Sequence, residues 1–213
     1  ANKSNPKTGK YYAKAEERIS GLASPYLSCE VLIEMANKNY EGNQDNADWL
    51  ENTANLLDRK GCADAPIFFT IAKKMHSVNP SAVSAEKMGI MSLKTKKYSD
   101  ALDFFKQALE LATDQDKKAD YYIELAQTYS SMGSYGQAKS MALKAAAARP
   151  GFGLPYIIIG DMYASSTTCG DGDACKQKAV YWLAVDTYAK AKAVDGSLTS
   201  TANSKIATYS KYF

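Results

Sequence analysis

The 213-residue chain is poor in the residues that chemistry at a protein site usually requires. It has one histidine, His76, in AKKMHSVNP near a helix C-terminus. Nucleophilic catalysis needs an activating base, so a single histidine leaves few ways to build one, and in that position it reads as a cap on the last helical carbonyls. No G-x-S-x-G elbow, phosphate loop, HExxH or GxGxxG is present, and GFG at 151–153 reads as a turn. These absences argue against an enzyme, and no cofactor is expected. Long apolar runs are lacking too: the longest patch, LPYIIIG at 154–160, falls far short of the roughly 20 residues that span a bilayer. ANKSNPKTGK at the N-terminus has no apolar stretch of the kind a signal peptide carries, as in a secreted chain after cleavage or a segment cut from a longer protein. An excess of one charge is also missing. The net +3 comes from 26 basic and 23 acidic residues in alternating signs, so no phosphate-tracking surface is indicated and nucleic acid is not an expected partner.

What the chain does have is helical periodicity from about residue 9 to its end, without alternating strand patterns. The 15 tyrosines outnumber six phenylalanines, and alanines recur at helical spacing, which suggests close helix contacts with amphipathic rings between them. Breaks fall at SPY (24–26), EGNQDNAD (41–48), KGCADAP (60–66), VNPSA (78–82), ATDQDKK (112–118), ARPGFG (148–153) and DGS (195–197), leaving short antiparallel helices. An internal repeat orders them. Gly89/Ala126, Tyr98/Tyr135, Ala101/Ala138 and Ala108/Ala145 each fall 37 residues apart. A third copy begins at YIIIGDMY, with Gly160 placed 34 residues after Ala126, and resumes with Ala184, Tyr188 and Ala191. Small residues mark where paired helices must approach closely; large ones fill the gaps.

Ala126, Tyr129, Tyr135, Ala138, Ala145 and Pro150 together resemble the tetratricopeptide repeat (TPR). Ala142 departs from that pattern, standing where an aromatic is usual, and the third copy carries the extra residues STTCGDGDACKQ between its helices. The resemblance implies an all-α fold, a right-handed α-α superhelix of antiparallel helix pairs in one domain over residues 1–213. Residues 9–78 read as degenerate pairs (9–23 with 26–41, 46–60 with 64–78), 80–196 as three clear repeats with the insertion at 165–176, and 197–213 as a capping helix covering the last apolar face. The run from ADYYIELAQTYSSMG to IATYSKYF resembles, more narrowly, envelope-associated TPR proteins of Gram-negative anaerobic bacteria. That resemblance implies an extracytoplasmic site, periplasmic or outer-membrane associated, and a C-terminal portion of a longer chain.

The four cysteines form two natural pairs. Cys29 lies early in one helix and Cys62 just after the next has ended at Lys60-Gly61; antiparallel packing brings those ends together, which predicts Cys29–Cys62. Cys169 and Cys175 flank a loop between antiparallel helices, within reach of a disulfide. CGDGDAC has three readings. A zinc site lacks convergent ligands, since no CxxC exists and His76 belongs to another repeat. For calcium, Asp171 and Asp173 fall short of the roughly six to eight oxygens needed. A redox pair would want closer thiols without carboxylates to raise their pKa. A staple in an oxidising compartment is favoured over the metal and redox readings, and no metal is expected.

By resemblance, TPR arrays take peptides along the inward face of their first helices. Here that face projects onto Val83, Glu86, Ile90 and Leu93, then Asp120, Ile123, Gln127 and Ser130, then Leu154, Ile157, Asp161 and Ala164. Its mix of apolar and acidic residues disfavours a ligand that ends in a carboxylate. Apolar residues at helical spacing are also what a core needs, so part of this face is expected to be filled by neighbouring repeats. The tyrosines similarly read as packing between helices with hydroxyls at the rim. The functional expectation is a non-enzymatic scaffold binding a protein or peptide; the alternative is an accessory protein of an envelope glycan-binding or glycan-utilisation system. Oligomeric state is not legible.

Overall fold

The structure, a computed structural model, describes residues 28–165 and 174–212, the side chains of 174–177 excepted. The expected helix at 9–23 and the Cys169–Cys175 pair lie outside these residues. Ten α-helices follow in order: α1 (Cys29–Asn43), α2 (Ala47–Arg59), α3 (Pro66–Val78), α4 (Ala82–Lys94), α5 (Tyr98–Leu111), α6 (Gln115–Ser131), α7 (Tyr135–Ala148), α8 (Leu154–Ser165), α9 (Ala174–Val194) and α10 (Thr199–Tyr209). No strand occurs among the described residues. The helices pack in adjacent pairs as a TPR-like solenoid. The chain forms two compact units, divided between Lys74 and Met75.

In the first unit, side-chain caps set where helices begin. Ser28 accepts from the Val31 amide and Asn46 from the Trp49 amide, each satisfying a donor the helix itself cannot. α3 starts at Pro66, whose missing N–H costs nothing in a first turn. α2 is strongly amphipathic, burying Leu50, Ala54 and Leu57 on one stripe. Cys29 and Cys62 are joined as a disulfide across 33 residues. Closing a loop of that length contributes about 3–4 kcal/mol in the chain-entropy account.

The second unit is built on three pairs, α4/α5, α6/α7 and α8/α9, finished by α10 on α9. Ala101, Ala138 and Ala184 take equivalent places on the second helices, as do Ala108, Ala145 and Ala191, and all six are fully buried. Between them sit Phe105, Ala142 and Tyr188, also fully buried. Each faces the small residue of the paired first helix. A Cβ on Gly89 would lie 2.5 Å from the Phe105 ring, and one on Gly160 would lie 2.4 Å from Tyr188. Where the second helix offers only Ala142, the first helix carries Ala126 instead, in the same buried cluster. The missing aromatic at 142 is therefore matched by one extra methyl across the contact.

The insertion in the third copy ends by joining a helix, since α9 already begins at Ala174. The final segment adds short 3₁₀ turns, Gly196–Leu198 and Ser210–Tyr212, on either side of α10. His76 departs from its expected role. Its Nδ1 lies 3.0 Å from the Ser84 hydroxyl, and its ring meets Phe104 edge-on, so it does not cap helical carbonyls. The Ser84 hydroxyl also accepts from the Ser81 amide as half of a capping box, so His76 meets the start of α4.

The small-for-large exchange is testable. Ala142→Phe alone overpacks the α6/α7 contact and costs about 1–3 kcal/mol in urea unfolding. In an Ala126→Gly background that cost shrinks, because the ring regains the space it has opposite Gly89 and Gly160. An undiminished cost would show that positions 126 and 142 do not compensate one another.

Candidate functional site

The described cavity with the clearest relation to the repeat is an open groove of about 610 Å3 in the second unit. It runs across the C-terminal turns of the first helices. α4 and the turn after it contribute Leu93, Lys94, Lys96 and Tyr98; α6 contributes Gln127, Ser130 and Ser131; α8 contributes Ile158, Asp161, Met162 and Ser165. Four of the residues expected on the inward face, Leu93, Gln127, Ser130 and Asp161, thus come together.

The others are placed differently. Ile123 and Ile157 are each 5% exposed and pack in the core. Ile90 lies against the cluster around Phe105 and Leu125, and Leu154 and Ala164 against the one around Tyr188. Val83 is half-buried. Glu86, also half-buried, accepts a long hydrogen bond from the Tyr121 hydroxyl at 3.5 Å. Asp120 is held by Arg149 at 2.6 Å, and the same guanidinium reaches Asp116 at 3.1 Å and stacks over Phe152. That arrangement ties the end of α7 to the start of α6.

Asp161 lies in the groove and also anchors the end of the array. Its Oδ1 accepts from the Tyr188 hydroxyl at 2.7 Å and from Lys205 Nζ at 2.6 Å, joining α8, α9 and α10 through one oxygen. Burial of Tyr188, and next its hydrogen bond to Asp161, pushes the phenol far above its ordinary value of 10.0. Lys205 also lies over the Tyr188 ring, 5.5 Å from its centre. Beyond it, Tyr209 stacks on Tyr188 and Tyr181, and Tyr181 on Tyr212.

Other tyrosines are engaged with lysines at repeating positions. Lys144 lies over Tyr122 and Lys190 over Tyr156, equivalent places in successive repeats, while Lys139 donates to the Tyr163 hydroxyl at 2.6 Å. Sequence reasoning missed Lys94, Lys96, Tyr98, Ser131, Ile158, Met162 and Ser165 as groove residues. A signal for part of this set was present: Lys94, Ser131 and Ser165 follow the repeat spacing of Leu93, Ser130 and Ala164, one residue further on. Among the described residues, no three His, Cys, Asp or Glu side chains gather as a metal site, and no helix is long and apolar enough to cross a membrane.

The Tyr188 contact makes an alkaline prediction. In the unfolded chain the phenol ionises near 10, whereas in the fold it stays protonated, so stability is full below that pH and falls as pH rises above it. Urea midpoints measured across this range should fall more steeply for the wild type than for Tyr188→Phe. Parallel curves would mean that Tyr188 ionises as freely in the fold as outside it.

Known proteins similar to the chain are few in sequence but present among solved structures. Two crystal structures of MamA are similar: one shares 22% identity over 76% of this chain and 90% of that one, with a TM-score of 0.55. The other shares 21% over 87% and 90%, with a TM-score of 0.60. The C-terminal part of a TPR repeat-containing protein from Cytophaga hutchinsonii aligns at 16% identity over 91% and 87%, with a TM-score of 0.35. No curated protein matches the chain in sequence. Residues 81–150, which hold α4 to α7 and two of the three groove-forming helices, match the tetratricopeptide repeat family.

Proposed function

We propose that the chain is an interaction scaffold that holds a partner protein in the groove across α4, α6 and α8. The observation that carries this reading is the gathering of Leu93, Gln127, Ser130 and Asp161 in one open groove on a TPR-like solenoid. Gln127 is exposed there, among lysine, hydroxyl and aliphatic side chains, a surface that takes main-chain and side-chain groups together. The scaffold needs no catalytic step, and the repeat supplies its rigidity through the buried small-to-large contacts between helices.

The reading includes an extracytoplasmic location. The Cys29–Cys62 bond supports it, because disulfides persist in oxidising compartments. In protein taken from its native host with thiols blocked at lysis, both cysteines should resist alkylation until reduced; two free thiols would move the chain to a reducing compartment.

The groove is tested by a photo-crosslinking residue placed at Gln127 and, as a control, at exposed Leu143 on α7. A partner in envelope extracts should crosslink from position 127, and its purified form should lose binding when Gln127→Trp fills the groove. Crosslinking from position 143 alone would overturn the assignment.

A further inference from the structure

The end of α4 departs from the ends of α2 and α6 at its left-handed position, and the residue there lines the groove. α2, α4 and α6 close with the same pair of hydrogen bonds. The third residue after each helix donates five residues back, Cys62 to Leu57, Lys97 to Ser92 and Ser134 to Tyr129, and the residue before it donates three back, Gly61 to Asp58, Lys96 to Leu93 and Gly133 to Ser130. This arrangement places the preceding residue in the left-handed region. Gly61 has φ 74° and Gly133 φ 73°, but the third position is Lys96, with φ 59°. A Cβ in that region crowds the following carbonyl, and glycine avoids the cost. The repeat therefore tolerates a lysine where its neighbours have glycine, at the rim of the groove.

The surrounding charges add an independent observation. Lys94 and Lys96 are both exposed, line the groove, and have no acidic partner among the described residues. Asp161, the carboxylate in the groove, is already engaged by Lys205 and Tyr188. One side of the groove thus carries uncompensated positive charge, while Ile158 and Met162 offer hydrocarbon on the other.

Resting on the groove as the binding surface, we propose that its occupant is a segment of a partner protein in which Asp or Glu side chains flank an aliphatic residue. The carboxylates meet Lys94 and Lys96, and the aliphatic side chain lies on Ile158 and Met162. An anionic glycan would satisfy the lysines, but its hydroxyl-bearing rings match Ile158 and Met162 less well than an aliphatic side chain does. The strain at Lys96 is what charge recognition costs the fold.

This assignment separates stability from binding. The full chain is titrated into a fluorescein-labelled peptide, GEELEEG with both ends capped, and into its GQQLQQG counterpart. The acidic peptide should bind several-fold more tightly, and added salt should erase the difference. Lys96→Gly should raise the thermal midpoint by about 2–4 °C by relieving the left-handed side chain, yet weaken the acidic peptide about threefold. Lys94→Gln should weaken it similarly without raising the midpoint. Equal binding of the two peptides overturns the anionic preference and leaves the groove itself as a binding surface. Failure of both peptides, with crosslinking from position 127 intact, overturns the assigned occupant while the scaffold reading survives. Tighter lysine-dependent binding of dextran sulfate than of the acidic peptide overturns the protein segment in favour of a glycan.

Discussion

The second unit depends on one constraint: wherever a first helix meets its partner, a ring on the second helix requires glycine on the first, and a methyl stands on the first only where the ring is absent. Gly89 faces Phe105, Ala126 shares a buried cluster with Ala142, and Gly160 faces Tyr188. Interiors at crystal-like density do not absorb an extra ring or leave a void without cost. The spacing within each pair follows from these contacts. So does the alignment of the flanking alanines, which let the helices lie close above and below the ring.

Much of this was legible from the amino-acid sequence because packing constraints recur with the repeat. Gly89, Ala126 and Gly160 can be found by spacing alone, and Cys29 and Cys62 by the ends of two antiparallel helices. The site was less legible for a physical reason. A residue at helical spacing on an inward face has two possible fates, and the local pattern is the same for both. Ile123 and Ile157 went into the core, whereas Gln127 and Ser130 stayed in the groove. Polarity gave no better guidance: Asp120 and Asp161 looked like binding groups, but each is held by a cation far along the chain, Arg149 and Lys205. Lys205 gives no sign in sequence that it reaches back 44 residues.

The polar contacts divide into those that fasten the array and those left at its surface. Arg149 fastens the close of one repeat to its own start, and Asp161 fastens the final helix to the two before it. Exposed pairs of this kind add little each, but they fix orientation where few apolar atoms are available. α10 illustrates the need, since Ala202 is its one fully buried residue. The tyrosine stack from Tyr188 through Tyr209 supplies area that the small side chains of that helix do not.

The third pair shows how separable the layers of this architecture are. Phe105 follows Gly89 by 16 residues, as Ala142 follows Ala126, whereas Tyr188 follows Gly160 by 28. Twelve additional residues have entered between the two facing positions without altering the contact on which the pair is built. Lengthening a connection is a logarithmic cost, about 0.6 kcal/mol for each doubling, whereas a single methyl at the contact is a steric one. The chain is thus free to vary in the one dimension and closed in the other. New surface can be acquired at the α8/α9 connection by simple insertion, with the scaffold's geometry inherited unchanged.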